Sequence, residues 1–182
     1  MMFQMFYLFF TTGFGDFAIF YQTKPFQIIK IFLPTVKKEF PGKRIYQNGC
    51  KKFVVHEKAT LIQNMIIDYC KGIPINTPWK LLNLEYLTEL QRTVLSATAD
   101  IQYGNLRSYK DIATTIGRPE AYRFVGSTLA KNRFPILIPC HRVVRSDGSS
   151  GMFGGGAAFK KRLIDHERAS YGDNQNSVLL PL

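Results

Sequence analysis

Three runs rich in aromatic and β-branched residues open the chain: Phe3–Phe10, Phe17–Gln22 and Phe26–Leu33. Turn formers separate them, Thr11-Thr12-Gly13 with Gly15-Asp16 first and Thr23-Lys24-Pro25 second. Such residues favour a pleated surface with buried faces, and such short connections permit only antiparallel pairing. A small antiparallel sheet is predicted. The apolar opening, MMFQMFYLFF, has no Lys or Arg before it and no small-residue cleavage site after it. It is also far shorter than the ~20 residues that span a bilayer. It reads as a buried strand, and no membrane association is expected. Residues 43–55 read as a basic loop with a short strand at Lys52–Val55.

The period then changes. Leu61, Ile62, Met65, Ile66, Tyr69 and Cys70 fall on one helical stripe between Glu57 and Lys71, with Gly72 and Pro74 just beyond. That pattern predicts an amphipathic helix. Residues 72–86 carry two prolines and no sustained period, the pattern of a linker, and a helix resumes from about Leu87 to Ala99. Ser108 is a natural N-cap for a helix from Tyr109 to Ile116. Gly117-Arg118-Pro119 makes a turn, and Glu120 to Lys131 makes a second helix. Two short helices around a glycine turn are a helix-turn-helix candidate. The apolar run Phe134–Pro139 leads to Cys140. Five glycines between Arg145 and Ala158 imply backbone in close approach to something. A last helix is expected from about Phe159 to Glu167, with a frayed tail after it.

Charge sharpens the picture. Of 182 residues, 24 are Lys or Arg and 13 are Asp or Glu, a net charge of +11. The excess is denser in residues 101–168, with twelve basic residues against five acidic, where the helix pair lies. A basic face of this kind attracts polyanions, nucleic acid above all. Three cysteines, Cys50, Cys70 and Cys140, make no disulfide framework, so a reducing compartment is expected. No ligand spacing for a metal is present, and neither metal nor cofactor is expected.

Pro139-Cys140-His141-Arg142 ends a buried-type run and delivers a thiol into a loop. His141 and Arg142 would both favour the nucleophilic thiolate. Glu167 is placed to orient a histidine, completing a nucleophile, base and orienter.

The string Ile138-Pro139-Cys140-His141-Arg142-Val143-Val144 resembles the active-site sequence of the O6-alkylguanine-DNA alkyltransferases, the methylated-DNA–protein-cysteine methyltransferases. The resemblance runs from about Thr88 to Glu167. It takes in Tyr103-Gly104, Ser108-Tyr109, Ile112-Ala113, Ile116-Gly117-Arg118-Pro119, Arg123, Val125-Gly126, Asn132, Pro135, Ser146-Asp147-Gly148, Gly155-Gly156, and Leu163 with His166-Glu167. Over the first eighty residues it is one of layout only.

The resemblance implies an α+β fold. A small N-terminal antiparallel sheet with a helix, laid out like ribonuclease H, occupies residues 1–80. A mostly helical DNA-binding domain with a helix-turn-helix occupies 81–170, and a tail occupies 171–182. It implies that Cys140 takes the alkyl group from O6 of a flipped guanine in double-stranded DNA, in a single turnover, with O4-alkylthymine as a further substrate to consider. His141 would act through a water as base, Glu167 would hold it, Asn132 would brace the turn, and Tyr109 would help protonate the leaving guanine. Arg123 would fill the stack, with Tyr122, Gly126, Ser108 and Arg118 on the same minor-groove surface. Val143, Gly154, Phe153 and Pro135 would line the substrate pocket. A monomer in the cytoplasm, or in the nucleus of a eukaryote, is expected.

Three positions depart from the family pattern. Tyr122 and Phe124 flank Arg123 where small residues are usual, Gly154 stands where a polar residue is common, and Arg133 follows Asn132 where proline is common. Rival readings are a lesion binder that does not transfer, a transcription regulator and a cysteine hydrolase. Cys140 argues against the first. The second lacks a further cysteine-rich module. The third would need an oxyanion hole of which the sequence shows no independent sign.

Overall fold

The computed structural model describes residues 5–34, 51–52 and 56–177, with side chains over 5–34 and 56–170. Strands β1 (Met5–Thr12), β2 (Gly15–Thr23) and β3 (Phe26–Phe32) form an antiparallel meander. A fourth strand, β4 (Lys51–Lys52), pairs parallel with β1, giving the order β3-β2-β1-β4. The expected strand Lys52–Val55 thus overlaps β4 at Lys52, and its remainder lies outside the described residues.

β1 runs through Thr11 and Thr12, which the turn signals had assigned to the connection. The two threonines serve strand and turn together. Thr11 donates to Asp16 at 2.7 Å, and Thr12 accepts from the Phe14 amide at 3.1 Å. Alternation sends Phe6, Leu8, Phe10, Phe17, Ile19 and Tyr21 to one face, where they meet the rest of the protein. Tyr7, Ala18 and Phe20 cluster on the other face with Phe9, Ile29 and Phe32. The register slips between the pairs Phe20↔Lys30 and Tyr21↔Ile28. This bulge lets Ile28 and Ile31 both reach the inner face although they are three residues apart.

Helix α1 (Glu57–Cys70) lies against that inner face through Ala59, Ile62, Ile66 and Tyr69. Leu61 does not join them: it is 51% exposed, so the buried stripe is narrower than the apolar positions suggested. The helix is capped by His56, whose Nδ1 accepts from the Lys58 amide at 3.2 Å. Cys70 is a half-buried thiol, and burial pushes its pKa up.

The segment read as a linker is a fixed strap. It contains a 3-10 turn at Trp79–Leu81. Leu82 bridges to Ile28, and Asn83 donates its amide to Ile28 at 2.9 Å and its side chain to Gln27 at 2.7 Å. Thr77 donates to the carbonyl of Leu137 at 2.6 Å, within the run that precedes Cys140. Prolines removed the helical period here, but backbone hydrogen bonds to the sheet edge supply what the period lacked.

The second half is helical. Helix α2 (Glu89–Ala99) begins one capping box after Thr88, with Gln91 completing it. A two-residue strand β5 (Arg107–Ser108) leads into α3 (Tyr109–Thr115), where Ser108 and Asp111 form a second capping box. A 3-10 turn at Pro119–Ala121 precedes α4 (Tyr122–Ala130), so this helix starts later than Glu120. The fixed φ of Pro119 opens the turn, and the helix proper follows it. Strand β6 (Val143–Val144) pairs parallel with β5, a contact the sequence pattern did not reveal. Helix α5 (Ala157–Ser177) runs well past the expected end at Glu167, into the stretch read as a frayed tail. One continuous core joins the inner face of the sheet, α1 and the helical half. None of the helices among the described residues is long and apolar enough to cross a membrane.

Candidate active site

The approach to Cys140 is built by Asn132. Its carbonyl oxygen accepts from the Phe134 amide at 2.9 Å, and its Nδ2 donates to the Ile138 carbonyl at 3.0 Å and to Cys140 Sγ at 3.2 Å. One side chain thus staples both ends of the run and touches the thiol. Within the staple Ile136 adopts φ +73°, left-handed, and is buried. A β-branched residue there is strained by roughly 1–3 kcal/mol, so the surrounding contacts hold it in place. Ile31 of β3 donates to the Arg133 carbonyl at 2.8 Å, which fixes the sheet edge to the same turn.

Cys140, His141 and Arg142 form a buried 3-10 turn rather than an open loop. Cys140 is 7% exposed. Burial pushes its thiol pKa up, and the Asn132 hydrogen bond, the Lys160 charge and nearby backbone amides pull the other way. The net direction is upward, so the resting group is a thiol.

Behind it lies a buried carboxylate. Glu167 Oε1 is 2.6 Å from His141 Nε2, and it accepts from the Tyr69 hydroxyl at 2.9 Å and Arg142 Nη2 at 3.1 Å. Its Oε2 accepts from the Gly104 amide at 3.0 Å and from Arg142 Nε at 2.9 Å. Burial works against its charge. The His141 hydrogen bond and the Arg142 guanidinium outweigh that and hold the carboxyl at about 2. His141 is fully buried, and burial lowers its pKa despite the carboxylate. It is therefore neutral at pH 7, with its proton on Nε2 toward Glu167. Nδ1 is buried with no partner among the described residues. It is the ring nitrogen left to accept a proton.

This changes the role expected of Arg142. Its guanidinium is spent on Glu167 and the Ile101 carbonyl. The cation that acts on Cys140 is Lys160, fully buried, its Nζ donating to the Val143 carbonyl. Burial lowers Lys160 to about 8. Sequence inspection passed over Lys160 as an ordinary charge. A signal was present: Lys160, Leu163, Ile164 and Glu167 fall at i, i+3, i+4 and i+7, the buried stripe of α5.

Tyr109, the first residue of α3, lies between two glycines. A Cβ on Gly126 would sit 3.8 Å from its ring, and one on Gly151, at φ +62°, would sit 2.6 Å from its hydroxyl. The glycine-rich loop approaches closely because Tyr109 is there. Gly155 is tight against Phe159, Phe153 and Leu33, whereas a Cβ on Gly154 would meet nothing within 4 Å. Phe153 stands edge-on to His141 at 6.4 Å.

The remaining candidates divide between two clefts. Tyr109, Gly126, Tyr122 and Arg123 line one of about 870 Å³, together with Arg145 and Met152. Pro135 and Gly154 line another of about 980 Å³ on the side of Asn132, with Lys131, Arg133 and Tyr86. Arg133 stacks over Tyr86 at 3.8 Å. Val143 is buried and contributes its carbonyl, Ser108 is the α3 cap, and Arg118 is exposed on the turn. Tyr122 is 40% exposed beside Arg123, while Phe124 packs inward on the core. Cys50 lies outside the described residues, and among those residues no group of His, Cys, Asp or Glu gathers to hold a metal.

Residues 89–169 match the family model described as 6-O-methylguanine DNA methyltransferase, DNA binding domain. A methylated-DNA–protein-cysteine methyltransferase of Methanothermobacter thermautotrophicus is 33% identical over 130 residues, covering 69% of this chain and 73% of the relative. The chain belongs to this family. An inducible methyltransferase of Bacillus subtilis is 32% identical over 148 residues, covering 81% and 75%. The fold agrees as well: the crystal structure of Mycobacterium tuberculosis O6-methylguanine methyltransferase superposes with a TM-score of 0.70 at 22% identity, over 92% of this chain and 94% of the other. The sequence match thus extends well beyond the second half of the chain, and the fold agrees over nearly all of it.

The buried carboxylate makes a prediction about stability. Glu167 sits near 2 in the fold against an ordinary 4.5, so its contribution is whole above about pH 4.5 and fades as pH falls toward 2. The shift corresponds to about 3 kcal/mol. Glu167→Gln leaves Arg142 buried without its counter-charge and should cost about 3–5 kcal/mol near neutral pH. Urea unfolding of both proteins from pH 7 to pH 3 should show the gap narrowing as the pH drops. A gap independent of pH would rule out a charged Glu167.

Proposed function

We propose that this chain repairs DNA by moving an alkyl group from O6 of guanine onto Cys140, one group per protein molecule. The observation that carries the reading is a buried cysteine, held by Asn132 and adjoining a neutral histidine–carboxylate pair, inside a domain of the alkyltransferase family. In this reading His141 takes the thiol proton at Nδ1 through a water. The sulfur then attacks the alkyl carbon in line with its bond to O6. The S–C bond forms as the C–O6 bond breaks, and the electron pair leaves with the guanine. The guanine takes a proton from the Tyr109 hydroxyl, and the proton held by His141 passes through solvent to restore the phenol. Lys160 lowers the cost of the thiolate on the way. The product is a thioether, which water does not cleave, so the protein is consumed.

O6 of a paired guanine faces its partner, so in-line attack requires the nucleotide to be turned out of the duplex. The cleft beside α4 is the surface for this. Arg123 and Tyr122 stand exposed at its rim with Gly126, and Arg145 and Lys110 add positive charge. In this reading Arg118 and Ser108 face the same duplex, α4 enters the minor groove and Arg123 takes the place of the extruded base. In the same reading Pro135, Val143, Phe153 and Gly154 surround the alkyl group. O4-alkylthymine offers the same oxygen–alkyl bond and is the second substrate to try. No step calls for a cofactor.

The decisive test is intact mass after incubation with a duplex carrying one O6-methylguanine. The expected result is a gain of one methyl group, mapped to Cys140 and absent from Cys140→Ala. Binding to the lesion without any gain would overturn the transferase reading in favour of a lesion binder. Duplex affinity should also fall steeply as salt rises, because phosphate contacts dominate it.

Gly151→Ala should slow the transfer by about tenfold or more, because a methyl there displaces the Tyr109 hydroxyl. It should also cost roughly 1–2 kcal/mol of stability from the left-handed backbone. Single-turnover rates and urea unfolding check the two effects separately.

A further inference from the structure

Among the described residues, all but one of the groups hydrogen-bonded to the Cys140–His141–Glu167 array come from the second half of the chain. The exception is Tyr69, in the last turn of α1, which packs on the N-terminal sheet. Its side chain is fully buried. Its hydroxyl lies 2.9 Å from Glu167 Oε1 and 3.1 Å from His141 Nε2, reaching 98 and 72 residues along the chain. Its ring stands edge-on to Tyr103, His141 and His166 at centroid distances of about 6 Å. The carbonyl of Tyr69 also lies 3.0 Å from His166 Nε2, so both ends of the residue grip α5.

We propose that Tyr69 is a positioning residue for alkyl transfer: by donating its hydroxyl proton to the same carboxylate oxygen that receives His141 Nε2–H, it fixes the histidine's tautomer and tempers the carboxylate's pull on it. The proposal rests on the alkyl-transfer reading above and gives the N-terminal sheet and α1 a share in the chemistry.

The physical argument is one of competition at a single atom. Glu167 Oε1 has two lone-pair directions and donors from three residues, Tyr69, His141 and Arg142. Each hydrogen bond spreads the negative charge and weakens the others' hold. With the Tyr69 proton gone, more of that charge falls on His141 Nε2–H, and the imidazolium becomes easier to form. A base must be neutral to accept a proton, so the acid side of the rate profile moves to higher pH. The other charged and titratable groups around the site stay as they are: Arg142, Tyr103, Lys160, His166 and Cys140.

Tyr69→Phe removes only the oxygen and keeps the ring in its edge-on contacts. Two rates are measured between pH 5 and pH 9. One is single-turnover methyl transfer from an O6-methylguanine duplex. The other is carboxamidomethylation of Cys140 by iodoacetamide, which needs no DNA. The expected result is a loss of about tenfold near pH 6 that shrinks to within about twofold at pH 8.5, in both assays. A 3-fluorotyrosine at position 69, a stronger donor, should move the profile the opposite way. A loss of equal size at every pH, or no loss, would overturn the proposal and leave Tyr69 as core packing. If the wild-type protein transfers nothing from DNA, the alkyl-transfer reading fails. The iodoacetamide profile then still decides whether Tyr69 governs the histidine.

Discussion

A carboxylate removed from water must be compensated by protein groups, and the structure around Glu167 is organised by that demand. Four donor groups converge on its two oxygens. The phenol of Tyr69 comes from α1, an amide from the Gly104 turn, an imidazole and a guanidinium from the 3-10 turn at Cys140–Arg142. The carboxylate itself sits on α5. Four separate parts of the chain are therefore held by one charge, and Cys140 opens the turn that carries two of the donors. Moving any of these parts leaves a donor or the carboxylate unpaired in a dry interior, which costs far more than an exposed ion pair would.

The same arrangement partitions the electrostatics of the site. On the Glu167 side, negative charge is matched by Arg142 and polarises His141. On the Cys140 side, the compensating cation is Lys160, tied by its own hydrogen bond to Val143. Burial favours the neutral form of Cys140, His141 and Lys160 alike, and shifts each accordingly. The resting site thus stores a thiol beside a neutral base, not a preformed ion pair. Such a nucleophile is protected from adventitious oxidants and electrophiles, because the thiolate is the reactive species. For a protein consumed by its reaction, that restraint has an evident use.

Much of this was legible in the sequence, and the limits were physical. Strand periodicity, the Ser108 cap, α1 and the helix pair followed from local rules, and the structure brings Cys140, His141, Asn132 and Glu167 together. What stayed hidden was what only tertiary contact defines. The strap at residues 72–86 lacks any period because its partners are the Ile28 backbone and the Leu137 carbonyl. The β5–β6 pair is two residues long on each side and gives no pattern of its own. Arg142 looked like a partner for the thiol because it is two residues away, yet its reach takes it to Glu167. Tyr69 lay in plain view on an apolar stripe, where its ring belongs. Only its hydroxyl, aimed across the molecule, carries a further meaning.

The departures at positions 122, 124 and 133 follow the same logic of direction. Neighbours on a helix point about 100° apart, so residues two positions apart point to nearly opposite sides. Phe124 accordingly turns into the core and leaves the outer face of α4 unchanged. Tyr122 turns outward beside Arg123, and it is the bulk that a groove would meet. A tyrosine ring has a flat face for a sugar or base and a hydroxyl for a phosphate, so its extra volume is not simply an obstruction. Arg133 stacks on Tyr86 and brings a cation to the cleft on the Asn132 side. Its own carbonyl meanwhile accepts from β3. A proline at 133 would also leave that carbonyl available, so the arginine changes the charge beside the site without disturbing the staple that holds Cys140.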